Sequence, residues 1–420
     1  MTGYSELIDV AKYLRNFTLI EQDGLFAQAG QKTVTDTVSI DGRDVPRFIN
    51  EYWTARQRQS APLHEISYRA CFKGQLPRFF IDLLTKPGDT VYDPFSGRGT
   101  TVVEAALAGR RVIANDINPL SRILARPRLF IPSSNQVRSR LAAIPFAHGL
   151  KAELDLSMFY HPDTEAEVVS LRNYLLERRA SGGEDDVDEW IRMVATNRLT
   201  GHSPGFFSVY TLPPNQATSP ERQLKINQQR NQTPPYRHVS AIIQRKSDQL
   251  VRGLPPGTRE SLTAIGDTAL FLTGDARTTP AIADGQVALT VTSPPFLNIV
   301  QYAADNWLRC WFNGIDAEVV ARTITMSTTV NAWSKVMRAV FLELARVTAP
   351  GGWVAFEVGE VGKSKVKLDE HVVPMGTSAG FVCHGIVINL QEFTKTSNIW
   401  GVVNNARGTN TNRIVLFQKQ

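Results

Sequence analysis

Two short stretches contain the residue types from which a ligand site can be built. The first runs from Asp89 to Thr101 and places Gly97-Arg98-Gly99 shortly after the apolar pair Val91-Tyr92. An apolar run followed by glycines is typical of a buried strand that enters a tight turn, and residues 101–109 are typical of a helix. The absence of glycine side chains would let the backbone approach a ligand. A purely structural turn between strand and helix would have the same pattern.

The spacing of this turn narrows the class of ligand. It is Gly-x-Gly, without a third glycine and without Gly-Lys-Ser/Thr, so neither a dinucleotide nor a triphosphate is favoured. Asp116 follows a second predicted strand, Arg111–Asn115, at the distance where an acidic residue binds a ribose diol. It could instead cap the helix that begins at Pro119, although Asn118 suits that role better.

The second stretch is Thr292-Ser293-Pro294-Pro295-Phe296, at the end of a predicted strand over 286–292. Ligands of open parallel sheets collect at the carboxyl ends of strands. The Ser293 hydroxyl and the Pro294 carbonyl are hydrogen-bond acceptors, proline has no competing N–H, and Phe296 offers a flat apolar face. Such a set could hold a flat group that carries an N–H donor. A lone Ser-Pro-Pro would more simply be a rigid turn, so the hypothesis depends on both stretches occurring together.

The stretch Asp93-Pro94-Phe95-Ser96-Gly97-Arg98-Gly99-Thr100 resembles the S-adenosylmethionine motif of DNA amino-methyltransferases, and Ser293 to Phe296 resembles the catalytic tetrapeptide of that family. The resemblance implies methyl transfer from S-adenosylmethionine to N4 of cytosine or N6 of adenine. Serine at the first position of the tetrapeptide leans toward cytosine. The implied catalytic residues are Ser293, Pro294, Pro295 and Phe296, and the implied cofactor-binding residues are Phe72, Asp93, Phe95, Ser96, Gly97, Gly99, Thr100, Asp116 and Asp275.

Three of these residues, Phe72, Asp116 and Asp275, lie outside the motifs. Asp275 ends the predicted strand 269–273 and, in the resembled family, this position accepts a hydrogen bond from the cofactor adenine. Phe72 lies in the segment 72–77, which in that family closes over the methionine end of the cofactor. The alternative for this segment is a polar loop that packs on the next helix.

The resemblance implies an α/β fold, a Rossmann-like seven-stranded methyltransferase sheet with a large, mostly helical insertion. The expected divisions are an N-terminal helical extension (1–63), the first part of the methyltransferase core (64–127), an inserted region (128–262) and the second part of the core (263–420). Within the extension, residues 48–60 have the pattern of an amphipathic helix.

The inserted region is our candidate for target recognition in double-stranded DNA. It contains basic residues that could contact phosphates and amides that could read base edges. The alternative is a helical cap with solvated charges. The candidate DNA-binding residues are Lys225, Arg230, Arg237, Arg245 and Lys246, and the candidate amides are Asn227, Gln228, Gln229 and Gln232.

Composition sets few further limits. The 420-residue chain has a net charge of +6 and 42% hydrophobic residues, which permits but does not require nucleic-acid binding. Three separated cysteines predict neither a zinc site nor a disulfide framework, so no metal is expected. Without a leader pattern or an apolar run of about 18 residues, we expect a cytoplasmic protein that does not cross a membrane.

The resemblance implies an enzyme that is paired with a restriction endonuclease or acts alone. Adenine N6, RNA and a non-enzymatic DNA-binding scaffold are the alternatives.

Overall fold

A computed structural model describes residues 9–21, 28–29, 31–54, 61–68, 71–213, 217–295, 302–324, 327, 329–361, 366–390 and 411–420. The strands, numbered along the chain, are β1 Ile20–Glu21, β2 Gln28–Ala29, β3 Val34–Ile40, β4 Arg43–Asn50, β5 Thr90–Asp93, β6 Arg111–Asp116, β7 Leu270–Thr273, β8 Val287–Thr292, β9 Thr348–Val358, β10 Glu360–Val361, β11 Val366–Lys367, β12 Phe381–Leu390 and β13 Thr411–Lys419.

The helices are α1 Val10–Asn16, α2 Gln75–Leu84, α3 Thr100–Leu107, α4 Leu120–Ala125, α5 Ser134–Ala143, α6 Pro162–Ala180, α7 Asp186–Arg198, α8 Pro220–Arg230, α9 Val239–Leu250, α10 Thr258–Gly266, α11 Tyr302–Phe312, α12 Ala317–Thr323, α13 Val330–Val347 and α14 Leu368–Ser378. Short 3-10 helices occupy Pro62–His64 and Arg126–Arg128.

The main sheet has the order β3-β4-β12-β13-β9-β8-β5-β6-β7. Its central strands, from β9 to β7, pair in parallel, whereas β13 is antiparallel to both of its neighbours. The chain moves outward from β5 to β7 and then returns to β8 on the other side of β5. The strand order therefore reverses between β5 and β8, which is where open α/β sheets bind ligands. The predicted α/β class is confirmed, with the seven expected strands running from β12 to β7.

Two hydrophobic cores lie on the two faces of this sheet. One joins the sheet to α2 and α3 and continues into the insertion, and the other packs α13 and α14 against the strands. Both faces of the central strands are covered, which explains why β5 is buried along its whole length.

The N-terminal hairpin differs from the prediction. Residues 48–50 belong to strand β4 rather than to a helix, and residues 55–60 lie outside the described part of the chain. Strands β3 and β4 meet at Asp41-Gly42, both with positive φ, and β4 pairs in parallel with β12. The pair Asp-Gly between extended segments is a strong hairpin signal. The N-terminal segment is therefore not simply a helical extension, because it adds two strands to the sheet.

The inserted region is mostly helical, as predicted, and α6 and α7 are its longest helices. It packs on the face of the sheet that carries α3, and the Asn313 amide beyond α11 donates to the Thr196 hydroxyl (2.9 Å). The divisions at residues 64, 128 and 263 stay predictions. Within the described ranges, no helix combines the length and apolar character needed to cross a bilayer.

Candidate functional site

The carboxyl ends of β5, β6, β7 and β8 open onto one cleft. Ten of the predicted site residues line it: Phe72, Asp93, Phe95, Ser96, Gly97, Thr100, Asp116, Asp275, Ser293 and Pro295. Gly99 and Pro294 are not among the lining residues, and Phe296 lies outside the described residues. Two stretches almost two hundred positions apart in the chain (Asp93 and Thr292 are 199 residues apart) thus meet at one site.

The glycine turn is shaped by two left-handed residues. Gly97 has φ +50° and Gly99 has φ +75°, the latter at the start of α3. A Cβ at Gly99 would lie 2.6 Å from the Ala125 Cβ, so this position requires glycine for close packing as well as for its backbone angle. Gly99 therefore packs against α4 and is not among the residues that line the cleft, so its predicted contact with the cofactor stays a prediction.

The Asp93 carboxylate joins the two motifs. Its Oδ1 accepts a hydrogen bond from the Thr292 hydroxyl (2.6 Å) and one from the Phe95 backbone N–H (3.2 Å). The side chain is almost fully buried, and that burial raises its pKa to about 6. Asp93 borders the cleft, but its described contacts fix the ends of β5 and β8 relative to each other.

Asp116 lies at the end of β6 on the opposite wall. Its carboxylate accepts hydrogen bonds from the backbone N–H groups of Gly97 (2.8 Å) and Asn118 (2.9 Å). Burial raises its pKa to about 6. The Asn118 side chain caps α4 by accepting from the Leu120 N–H (3.0 Å), so Asp116 is not the cap. Each carboxylate oxygen keeps a second lone pair for a ligand.

Asp275 follows β7 and completes an anionic lining. Its carboxylate pairs with the Arg277 guanidinium, and this hydrogen-bonded partner lowers its pKa. Asp93, Asp116 and Asp275 are the charged side chains among the described lining residues, and no lysine or arginine lines the cleft there. Such a lining favours a cationic ligand and disfavours a phosphate.

The Ser293 hydroxyl is oriented by a carboxylate that we did not predict. Ser293 follows β8, and the register pairs Thr292 with Phe356 of β9, which brings Glu357 opposite Ser293. The buried Glu357 carboxylate accepts hydrogen bonds from the Ser293 hydroxyl and from the Asn412 amide (2.7 Å), while its burial raises its pKa. Because the hydroxyl hydrogen points to Glu357, the lone pairs of the Ser293 oxygen point elsewhere.

Trp333 is a second unpredicted contributor. Its indole N–H donates to the carbonyl of Pro295 (3.0 Å), and its ring, 2% exposed, forms part of the cleft wall. Nothing in the sequence indicated that Trp333 reaches the Ser-Pro-Pro turn. A charged Glu357 within an apolar strand was, by contrast, a signal that could have been noticed.

Arg98, the central residue of Gly-x-Gly, fixes the segment in front of the motif. Its guanidinium donates to the carbonyls of Ile66 (2.8 Å) and Phe72 (3.2 Å), and Tyr68 and Phe72 of the same segment line the cleft. The segment that contains Phe72 is therefore a wall of the cleft rather than only a loop on the next helix.

Residues 28–122 match the family model described as DNA methylase. This part of the chain contains the N-terminal hairpin, the glycine turn and Asp116, and the match supports the resemblance noted for the turn. It covers less than half of the chain and ends before the insertion. No curated protein matches the sequence.

Several solved structures are distantly similar. A protein from Thermus thermophilus, described as a candidate DNA modification methylase, is 21% identical over 35% of this chain and 50% of its own, with a TM-score of 0.22. Geranyl diphosphate C-methyltransferase from Streptomyces coelicolor A3(2) is 10% identical over 82% and 80% of the two chains (TM-score 0.32). The rRNA methyltransferase aviRa from Streptomyces viridochromogenes is 13% identical over 86% and 90% (TM-score 0.32). These likenesses are too distant to identify a substrate.

The predicted DNA-binding residues are not equivalent in the structure. Lys225 and Arg245 are exposed, whereas Arg237 is partly buried. Arg230 lies over the ring of Tyr210, 3.9 Å from its centroid. The exposed Lys225 and Arg245 are therefore able to reach a phosphate. The Arg230 guanidinium instead packs on the Tyr210 ring within the insertion.

The prediction of a DNA contact by Lys246 is wrong. Its side chain is buried, and its ammonium group pairs with the Glu65 carboxylate at 2.7 Å. A lysine held inside the protein by a carboxylate cannot reach the phosphate backbone. Instead, Lys246 attaches α9 of the insertion to the segment that precedes α2.

Gly99→Ala tests the packing requirement of the turn, with Gly88→Ala as a matched control. Both glycines have positive φ, but a Cβ at Gly88 meets no atom within 4 Å. We expect Gly88→Ala to lower the free energy of unfolding by about 1 kcal/mol through backbone strain alone. Gly99→Ala should cost about 2–4 kcal/mol because overpacking against Ala125 is added. Urea unfolding measures both, and equal losses would show that the close approach is relieved without cost.

Proposed function

We propose that this protein is a site-specific DNA methyltransferase that transfers a methyl group from S-adenosylmethionine to the exocyclic N4 of cytosine in double-stranded DNA. The observation that carries the proposal is the anionic cleft at the switch point of the sheet, which has Ser293 at one side and Asp116 at the other. The match of residues 28–122 to the DNA methylase model supports the reaction class.

The lining of the cleft fits this methyl donor. S-adenosylmethionine has a positively charged sulfonium, and the Asp93 and Asp116 carboxylates, which have no ion-pair partner among the described residues, favour a cation. Asp116 keeps lone pairs for ribose hydroxyls. Asp275 would accept from the adenine amino group in exchange for one of its hydrogen bonds to Arg277. When bound, the cofactor supplies an electrophilic methyl group on sulfur.

The residues of the Ser-Pro-Pro turn act on the acceptor amino group. The nitrogen is a weak nucleophile because its lone pair is delocalised into the base. The Ser293 oxygen and the Pro294 carbonyl would each accept a hydrogen bond from one of its N–H groups, which directs the lone pair toward the methyl group. The nitrogen gives up one of these two protons as it gains the methyl, and that proton passes to solvent. Glu357 holds the Ser293 hydroxyl in the accepting orientation, and Trp333 fixes the following peptide through the Pro295 carbonyl. The gain comes from alignment and fixed dipoles.

A base stacked inside a duplex cannot enter such a cleft. The target nucleotide therefore turns out of the helix, at an unstacking cost of a few kcal/mol, and stacks on an aromatic side chain. Phe296 is the proposed aromatic face. The pairing of this enzyme with a restriction endonuclease belongs to the same proposal.

Adenine N6 is the second candidate because the same acceptors could hold its amino group. Labelled methyl transfer from S-adenosylmethionine to mixed-sequence duplex DNA, followed by digestion to nucleosides, separates the two. The account predicts N4-methylcytosine. Detection of N6-methyladenine would change the proposed target base but not the proposed site. Label in RNA alone would contradict the proposal.

Ser293→Ala should slow methyl transfer by about 10²-fold or more, since a preorganised hydrogen-bonding group is lost, without weakening cofactor binding. Thr290→Val is the matched control because it lies in the same region of β8 and its buried hydroxyl has no partner among the described residues. Single-turnover rates and cofactor titration measure the two effects. An unchanged rate for Ser293→Ala would remove this residue from the mechanism.

Glu357→Gln tests the orienting carboxylate. Glutamine can still accept from Ser293 but has no charge, so we expect a loss of rate of about 10-fold and unchanged cofactor affinity. At saturating S-adenosylmethionine, which removes the dependence on cofactor affinity, the wild-type rate should fall at acidic pH as Glu357 is protonated, and this loss of rate should be smaller in Glu357→Gln. A parallel pH profile in both proteins would show that Glu357 serves only packing.

Cofactor affinity should depend on pH through Asp116. Burial raises the pKa of this carboxyl to about 6, so its anionic form is lost as the pH falls below that value. S-adenosylmethionine should bind about 10-fold more weakly at pH 5 than at pH 7, and Asp116→Asn should weaken binding at pH 7 and flatten the profile. S-adenosylhomocysteine has the same ribose hydroxyls but no sulfonium charge, so its affinity should also fall at pH 5, through the ribose contact alone. Calorimetric titration that gave a flat pH profile for both ligands would contradict the role of Asp116.

A further inference from the structure

Helix α8 is held in the insertion by amide hydrogen bonds instead of a hydrophobic face. Of its 11 residues only Gln223 is buried. The Gln223 amide donates to the Tyr210 carbonyl (3.0 Å) and to the Asn227 side chain (2.7 Å), and the Asn227 amide donates to the Met158 carbonyl (2.8 Å). Gln232 closes this network by donating to Asn227 as well (2.8 Å). The inner face of the helix is thus fixed by directional contacts, and Asn227 and Gln232 are not free to read bases.

The outer face of α8 has a different composition. Arg222, Lys225 and Gln229 are exposed and are spaced three and four residues apart, so they lie on one side of the helix, with Gln228 beside them. Among the described residues, neither Arg222 nor Lys225 takes part in an ion pair. The helix contains three basic residues and one acidic residue, Glu221, and its outer face is therefore cationic and rich in amides.

The start of α8 is attached to the chain that follows the Ser-Pro-Pro turn. The Ala217 N–H donates to the Asp305 carbonyl (2.8 Å), and the Trp307 indole donates to the Thr218 carbonyl (3.2 Å). About ten residues lead from Pro295 to Asp305, so these two positions are at most about 36 Å apart. That span is about one turn of a DNA duplex. A duplex that runs from the cleft toward this helix therefore needs no more than about one turn to reach it.

We propose that α8 is the helix that reads the DNA sequence, with Gln229 and Gln228 at base edges in the major groove and Arg222 and Lys225 on phosphates or guanine. The proposal rests on the proposed function, in which duplex DNA is the substrate. A helix of 11 residues is about 16 Å long, and the major groove, about 12 Å wide, admits an α-helix. Glutamine can form two hydrogen bonds with adenine, and arginine with guanine. Phosphate contacts by cations add affinity that falls with salt.

The test compares R222A/K225A with K86A/R111A. The control pair removes two exposed cations from the amino ends of β5 and β6, at the opposite edge of the sheet from the cleft. Binding of a duplex oligonucleotide is measured between roughly 50 and 200 mM salt. We expect R222A/K225A to bind at least about 10-fold more weakly and to lower the salt slope by about 2, with cofactor affinity unchanged. K86A/R111A should bind like wild type.

Gln229→Ala tests base reading separately. Sequencing of the methylated positions in mixed-sequence DNA should show a relaxed preference at one base pair and an unchanged salt slope. If wild type methylates DNA but R222A/K225A binds like the control pair and Gln229→Ala keeps the same target sequence, the assignment of α8 is overturned and the proposed function stands. If wild type labels no DNA, both are overturned. Weaker binding of RNA with unaffected binding of DNA would also overturn the assignment.

Discussion

The site depends on a buried hydrogen bond between the Asp93 carboxylate and the Thr292 hydroxyl. The backbone pairing of β5 with β8 covers Val91 and Tyr92 and ends before Asp93. Beyond that point the strands separate, and the side-chain bond keeps their ends together where the chain leaves for the glycine turn on one side and for Ser293 on the other. A buried carboxylate is costly to leave unpaired, so its position is tightly determined. This contact therefore sets the distance between the proposed site of the methyl donor and the proposed site of the amino group that receives the methyl.

Three arginines extend the constraint to the segment in front of the glycine turn. Arg98, from the glycine turn, and Arg309, from α11, donate to carbonyls of the segment that contains Ser67 and Phe72. Arg128 donates to the carbonyls of Leu63 (3.2 Å) and of Arg98, and its burial lowers its pKa to about 9. A guanidinium has several donors in fixed directions and can hold more than one carbonyl. The glycine turn, the insertion and helix α11 are thus all attached to one short segment, between Leu63 and Phe72.

The sequence was sufficient to predict those parts of the site whose structure depends on neighbouring residues in the chain. Strand, turn and helix signals in the sequence predict the turn around Gly97, the strand that ends at Asp116 and the position of Ser293 after β8. The order of the motifs along the chain then predicts that all three lie at one edge of the sheet. The hairpin at Asp41-Gly42 was also readable from its turn residues, although the pattern of residues 48–60 predicted a helix at the end of its second strand. The contacts of Glu357 and Lys246 depend on strand register and on the docking of the insertion, which arise only in the folded chain.

The most direct test of this arrangement is a crystal structure with S-adenosylhomocysteine bound. The account predicts that the ribose hydroxyls lie on the Asp116 carboxylate and that the sulfur faces the Ser293 hydroxyl across the cleft. Binding of the ligand elsewhere, or a sulfur directed away from Ser293, would contradict the claim that one cleft holds both the methyl donor and the amino group that receives the methyl.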